Sequence, residues 1–161
     1  MPLHPVQPDR FRAVMGHFAT GVAVVTATGP EGPVGMTANA VCSLSLEPLL
    51  LLVCFDHGAR TLRVVRDTER FGVNVLAAGE DAIARRFASK LPEAEKFAGV
   101  AHAVQDGIPV LEDALAWVGC RLDRLLPGGD HTIGIGAVDA AETGAPRDPL
   151  IWFRGGYGSV A

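Results

Sequence analysis

Residues 35–48 read "GMTANAVCSLSLEP", set between the apolar runs "GVAVVTA" (21–27) and "LLLLVCF" (49–55). The flanking runs are aliphatic and β-branched, the composition of core strands. Between them stand Thr37, Asn39, Cys42, Ser43 and Ser45, small residues with hydrogen-bonding groups and no proline before Pro48. The stretch is therefore expected to stay extended, its small residues alternating along it. Two readings are open at this point. It is an edge strand with solvated polar positions, or a shelf where small side chains let a flat ligand lie against the backbone while Thr37, Asn39, Ser43 and Ser45 meet its polar rim. Cys42 is by default a small buried filler.

Working outward, Asp9 is placed to cap a helix whose apolar positions Phe11, Val14, Met15 and Phe18 fall at i, i+3, i+4 and i+7, with Gly21 ending it. Residues 1–8 are expected to form a loose arm, since they lack the basic start and continuous apolar run of a signal peptide. After the turn cluster "TGPEGP" and the two strands already quoted, "GARTLRVVRD" reads as a short helix and "RFGVNVLAA" as a strand presenting Phe71, Val73 and Val75. "EDAIARRFASK" is helical, with Ile83 and Phe87 on one face. A polar, loop-like stretch to about residue 112 precedes two long strands, "LAWVGCRLDRLL" and "HTIGIGAVDAAE", and a last strand in "PLIWFRGGYGSV". This order is mainly antiparallel β with short helices between the strands. Closing six or more such strands into a closed or split barrel removes exposed edges. Neither an internal repeat nor a linker divides the chain, so residues 1–161 are expected to be a single domain.

Bulk properties exclude several functions. A net charge of −4 leaves no basic footprint for nucleic acid, and the apolar runs are too short to cross a bilayer by helix. Three cysteines without C-x-x-C spacing are expected as free thiols in a reducing cytoplasm. The five histidines include no H-x-x-H or H-x-x-x-H pair, so no metal site is expected. The nearest approach to a dinucleotide fingerprint, "GIGAVD" (134–139), has Asp139 where the third glycine belongs and continues as strand. A phosphate-binding G-x-x-x-x-G-K-[ST] loop and a G-x-S-x-G nucleophile elbow are both missing.

Three further stretches can carry chemistry. "CFDHGARTL" (54–62) runs a strand into Gly58 and then Arg60 and Thr61, where a helix N-terminus favours an anion; the plain alternative is a strand-to-helix turn with a surface arginine. Arg85 and Arg86 beside Phe87 are either a solvated helix face or a second phosphate contact. "GGDHTIGIG" (128–136) sets Asp130 and His131 at the start of a strand, and "FRGGYG" (153–158) offers Arg154 and Tyr157 as a cover or as terminal packing.

Taken in order, "FATGVAVVTA", "GMTANAVCSLSLEPLLLLVCFD", "FGVNVL", "RRFA", "GIPVLEDALAWVGC", "GDHTIGIGAV" and "PLIWFRGGY" resemble the flavin reductase family, the small components of two-component flavin monooxygenase systems, across residues 11–158. The resemblance implies an FMN-binding split β-barrel that is homodimeric, with the flavin near the subunit interface. It implies that Thr37, Ala38 and Asn39 line the isoalloxazine, that Ala40 and Leu44 belong to the same run, and that Ser43 and Ser45 serve the ribityl chain or phosphate. Cys54, Phe55, Arg60 and Thr61 match the continuation of that cradle, and Arg86 and Phe87 the second flavin segment. His131 matches the nicotinamide-nucleotide contact, with Tyr157 close by. Many relatives have Ser at the positions of Ala40 and Ala59, so each alanine removes one possible hydroxyl bond to the phosphate.

The implied activity is NAD(P)H:flavin oxidoreduction. Hydride transfer from NADH or NADPH to N5 of FMN or FAD needs no protein base, which accords with the empty search for a triad or a metal. Reduced flavin would then leave for a flavin-dependent monooxygenase partner. No nucleic-acid or membrane partner is expected, and the location implied is cytoplasmic. Two alternatives stay open on the sequence: a tightly flavin-bound electron-transfer protein of the same fold, and a non-catalytic flavin- or haem-binding module.

Overall fold

The structure, a computed structural model, describes residues 5–160. The central feature is a seven-stranded antiparallel sheet in the order β3-β2-β6-β9-β10-β5-β4. Its members are β2 (Ala23–Gly29), β3 (Gly32–Ala38), β4 (Val41–Leu46), β5 (Leu49–Asp56), β6 (Arg70–Val75), β9 (Ala116–Gly128) and β10 (His131–Thr143). Strands β3 and β4 are consecutive in the chain yet occupy opposite edges of the sheet, and only Asn39 and Ala40 separate them. Three residue steps reach at most about 11 Å. The sheet must therefore curl until its edges nearly meet, and the Cys54 amide, donating to the Ala40 carbonyl at 3.0 Å, carries the β4–β5 ladder one pair into the connection. The stretch quoted at the outset is the hinge of a split barrel.

Alternation along β2 sorts the core. Ala23, Val25 and Ala27 point into the barrel with Val53, Phe55, Phe71 and Val73, plugged by Leu62 and Val65 of α2 (Arg60–Thr68). Val22 and Val24 face outward beneath α3 (Asp81–Ala88) and α4 (Glu93–Phe97), where they meet Ala84, Phe87 and Phe97. Both faces are covered, which is why "AVVTA" reads as a continuous apolar run. The glycines of "TIGIG" make room for aromatic rings. A Cβ on Gly134 would lie 2.6 Å from Phe55, and one on Gly136 would lie 2.6 Å from Phe71. Those two rings meet edge to face at 6.0 Å between centroids.

A second, three-stranded sheet runs β1-β11-β12, from β1 (Thr20–Gly21), β11 (Leu150–Phe153) and β12 (Gly156–Ser159). The terminal "PLIWFRGGYGSV" is thus a hairpin where one strand was expected, turned at Arg154 and Gly155, both with positive φ. The stretch expected to be loop-like up to residue 112 instead holds α4 and the hairpin of β7 (His102–Gln105) and β8 (Ile108–Leu111). Ile108 is fully buried, seated where a side chain on Gly72 would put its Cβ 2.3 Å away. That burial comes from tertiary packing, and no local periodicity announces it.

Helix α1 (Pro8–Met15) starts at Pro8, so the expected arm is shorter than residues 1–8; its first four residues lie outside the described ones. Gln7 takes the N-cap position and Asp9 sits in the first turn, 3.0 Å from Arg12. Gly16, not Gly21, closes the helix, its amide bonding the Arg12 carbonyl at 2.8 Å. Among its residues none is buried, and Phe11, Val14 and Met15 stand exposed along with Phe18 beyond it.

Candidate functional site

A cleft of about 820 Å³ opens at the barrel seam. Its floor is the chain from Ala38 to Cys42 together with Leu52 and Cys54; α1 with the turn after it forms one wall, and Trp152 of β11 another. The register explains which side chains reach it. Cys42 lies opposite Leu52, and cross-strand partners share a face. Leu50, Leu52 and Cys54 therefore form one row, of which Leu52 and Cys54 line the cleft, while Leu51, Val53 and Phe55 face the core. Among the expected residues Ala38, Asn39, Ala40 and Cys54 line the cleft, and Cys42, expected as buried filler, is exposed and lines it too. Asn39 is tied across the cleft mouth, its Nδ2 donating to Thr20 Oγ1 at 3.3 Å.

Several expected contacts lie elsewhere. Phe55, completely buried, points into the barrel because it is the strand neighbour of Cys54. Phe87 is a core residue packed edge to face on Phe97 at 4.9 Å. Thr61 is buried in the first turn of α2. Thr37 turns away from the cleft, its hydroxyl donating to the Ala84 carbonyl at 2.6 Å. A register shift between Ser43 and Ser45 marks a bulge in β4, placing Leu44 out of the ladder. Ser43 consequently lies opposite Leu51 and Ser45 opposite Leu50, on different faces. Neither serine lines the cleft, and Ser45 Oγ accepts from the Glu47 amide at 3.2 Å.

The expected cations are held within the fold. Arg60 Nη2 donates to the carbonyls of Lys90 and Leu91 at 3.4 and 3.3 Å. Arg86 Nη1 donates to the Ala98 carbonyl at 2.7 Å. At the start of α2 the carboxylate of Asp56 already accepts from Gly58 N at 2.7 Å, so part of that anion position is filled by the chain itself. Arg12 is the one charged residue lining the cleft among the described residues.

His131 lies opposite Asp56, and Ile133 opposite Cys54. His131 thus shares the cleft-facing side of the sheet, two residues or about 7 Å along from Cys54. Its Nδ1 lies 2.8 Å from Asp130 Oδ1. That hydrogen bond, and then the imidazole charge, hold the Asp130 carboxyl below the usual carboxylate range. Asp130 is therefore ionised at neutral pH and accepts the Nδ1 proton, which fixes the ring's orientation. Tyr157 meets Trp152 edge to face at 4.9 Å between centroids, with the Arg85 guanidinium 4.9 Å over its ring. Burial pushes the Tyr157 phenol up and Arg85 pulls it back, so it is a neutral O–H group at neutral pH.

Thr20, Cys42, Trp152 and the α1 wall are the site elements that sequence reasoning missed. For Cys42 no local signal existed, since Cys-Ser-Leu-Ser-Leu alternates regularly and the bulge after Ser43 shows only in the pairing. Trp152 could be found only from the pairing of β11 with β1.

The arrangement suits a planar ligand. Ala38 and Ala40 bring the backbone within reach, Val41, Leu52 and Trp152 supply apolar contact, and the N–H groups of Asn39 and Ala40 make no hydrogen bond among the described residues. The volume falls in the range of about 300–1,000 Å³ usual for ligand clefts. An isoalloxazine fits these features: flat, apolar on its faces and rich in acceptors along one edge.

Comparison with known proteins agrees. The chain is 40% identical over 158 residues to a flavin reductase (NADH) of Kitasatospora aureofaciens, covering 94% of this chain and 81% of that one. It is 40% identical over 157 residues to the reductase component of a 4-nitrophenol 4-monooxygenase/4-nitrocatechol 2-monooxygenase of Rhodococcus opacus, covering 97% and 83%. The NADH:FAD oxidoreductase of Streptomyces globisporus, solved in complex with NAD and FAD fragments, superposes with a TM-score of 0.90 at 35% identity, covering 99% and 98%. Residues 15–161 match the family model of the flavin reductase like domain, and the chain belongs to that family.

Proposed function

We propose that this protein is an NADH-dependent flavin reductase that takes FMN or FAD as a substrate and releases it reduced to a separate flavin-dependent monooxygenase. The observation that carries this reading is the seam cleft, where the small residues of 38–40 and the free amides of Asn39 and Ala40 stand beside an apolar wall. The names borne by the relatives supply the donor and the partner class. The redox chemistry is the flavin's own, the uptake of a hydride from reduced nicotinamide.

The chain's part is to bind, orient and stabilise. Ala38, Ala40, Cys42 and Cys54 form the floor, Asn39 and the adjacent amides meet the polar rim, and Trp152 closes the far side. Backbone donors stabilise negative charge developing on that rim without reorganising. His131, oriented by Asp130, would meet the nicotinamide nucleotide from the same face of the sheet as Cys54. Tyr157, beside Trp152 with Arg85 over its ring, would meet it past the Trp152 wall. Because the lining is mostly apolar, affinity comes from stacking and a few neutral bonds. A micromolar dissociation constant, about 8 kcal/mol, suits a flavin that must leave.

The exposed apolar stripe of α1 beside the cleft supports a homodimer with the cleft at its interface. The free thiols Cys42, Cys54 and Cys120 support a reducing, cytoplasmic location. Among the described residues no helix is long and apolar enough to cross a membrane.

The test is NADH oxidation by purified protein with FMN, FAD or riboflavin supplied. Turnover dependent on added flavin, with colour removable by dialysis, is the expected result. No flavin-dependent turnover overturns the reductase reading, and colour that dialysis cannot remove assigns the protein to bound-flavin electron transfer instead.

A further inference from the structure

Strand β3 is an edge strand, and edge strands carry unpaired N–H and C=O groups. At Gly35 both groups are taken up by one ion pair from α4. The Gly35 amide donates to Glu93 Oε2 at 2.9 Å, and its carbonyl accepts from Lys96 Nζ at 3.1 Å. The pair is closed on itself, Lys96 Nζ lying 3.2 Å from Glu93 Oε1, and both side chains are nearly buried at 8% and 13% exposure. Gly35 is also where α3 and α4 seat their aromatic rings, since a Cβ there would lie 2.8 Å from Phe87. Two residues on, Thr37 is tied to α3 through the Ala84 carbonyl. On the far side Arg60 Nη1 reaches Glu93 Oε1 at 3.8 Å while its Nη2 holds the Lys90 and Leu91 carbonyls.

A buried ion pair adds little net stability over a well-packed apolar pair, but it fixes geometry. This one grips the strand three residues before Ala38, where the cleft floor begins. Beyond it, the two-residue crossing is held among the described residues by the Cys54–Ala40 ladder bond and the Asn39–Thr20 bond. We propose that Glu93 and Lys96 are positioning residues for flavin binding: clamped on Gly35, they hold the edge strand so that the 38–40 floor is formed before the ligand arrives. Arg60, expected from sequence to contact the phosphate, serves in this role as the brace of the clamp. The proposal rests on the reading of the cleft as the flavin site.

Removing one charge alone strands the other, so the informative variant is the neutral double change Glu93→Gln/Lys96→Met, with Glu93→Gln as a second. A control destabilised outside both the ion pair and the cleft is Ile108→Val, on β8 of the β7–β8 hairpin. Flavin-free protein is read by amide hydrogen exchange across 35–40, and FMN affinity by fluorescence quenching. The expected result is faster exchange confined to 35–40 and an FMN Kd raised about tenfold, a modest share of what a misplaced floor can cost. The KM for NADH should move less than twofold, and Ile108→Val should move neither readout. Folded variants with wild-type exchange and FMN Kd overturn the proposal, as does a Kd loss that Ile108→Val reproduces. Wild-type protein that binds no FMN overturns the cleft reading itself, an outcome the exchange data cannot mimic.

Discussion

The three cysteines show how residue environment divides one chemistry into three. Cys42 is exposed and Cys54 half-buried, both on the cleft floor. Cys120 is fully buried, and its thiol is pushed up to about 12, mainly by burial and then by the Asp139 carboxylate, with Arg70 opposing. Only a thiolate attacks an alkylating reagent. Iodoacetamide on native protein at pH 8 should therefore modify Cys42 first and Cys54 next, and reach Cys120 only after unfolding. FMN at about ten times its Kd should slow the first two about tenfold. Peptide mass mapping against time reads all three sites. Modification of native Cys120, or rates at Cys42 and Cys54 indifferent to FMN, would contradict this placement. The same residues mark what the sequence reveals at this scale. Neighbours such as Cys54 and Phe55 must lie on opposite faces of a strand, so that both could not line one cleft was legible. Which face was the cleft was not, because it depends on the curl of the whole sheet.

Among the elements, long strands and the helices α2 and α3 were legible because their apolar periodicity is strong and local. The β7–β8 hairpin was not, since "HAVQ" and "IPVL" are short and their burial depends on Gly72, over which Ile108 sits. A buried amide anchors that hairpin to the barrel. Asn74 Nδ2 lies within 3.1–3.4 Å of Thr26 Oγ1 and the Val24 and Pro109 carbonyls, and its Oδ1 accepts from the Leu111 amide at 2.9 Å. Thr26 Oγ1 donates to the same Pro109 carbonyl at 2.6 Å. Asn74→Ala leaves several buried groups unpaired, which predicts a loss of roughly 2–4 kcal/mol in urea unfolding with an unchanged m-value. That corresponds to a Tm lower by about 4–16 °C for a chain of this size. A loss under about 1 kcal/mol would mean that water enters and replaces the amide, and that the hairpin is held by Ile108 alone.

For the whole molecule, the apolar surface left open is the least expected finding of a barrel with a well-filled core. Helix α1 has eight residues, too few to be stable in water unless it packs. Yet Phe11 and Val14 are 59% and 62% exposed, and Phe18 is 69% exposed. The β4–β5 hairpin tip adds Leu46 at 85% and Leu49 at 52%. Large apolar side chains left exposed in this number mark an interaction surface. Because Arg12, Met15 and Phe18 also wall the cleft, a partner that covers α1 would also shape the proposed flavin site. Light scattering at micromolar concentration should thus give twice the chain mass of 16.9 kDa. Phe11→Glu/Phe18→Glu should shift the protein to monomer and weaken FMN binding at least tenfold, since the wall loses its support. A wild-type monomer would remove the dimer from the proposed function. A monomeric variant that binds FMN as tightly as wild type would show that the cleft is complete within one chain, and that α1 covers a surface with some other purpose.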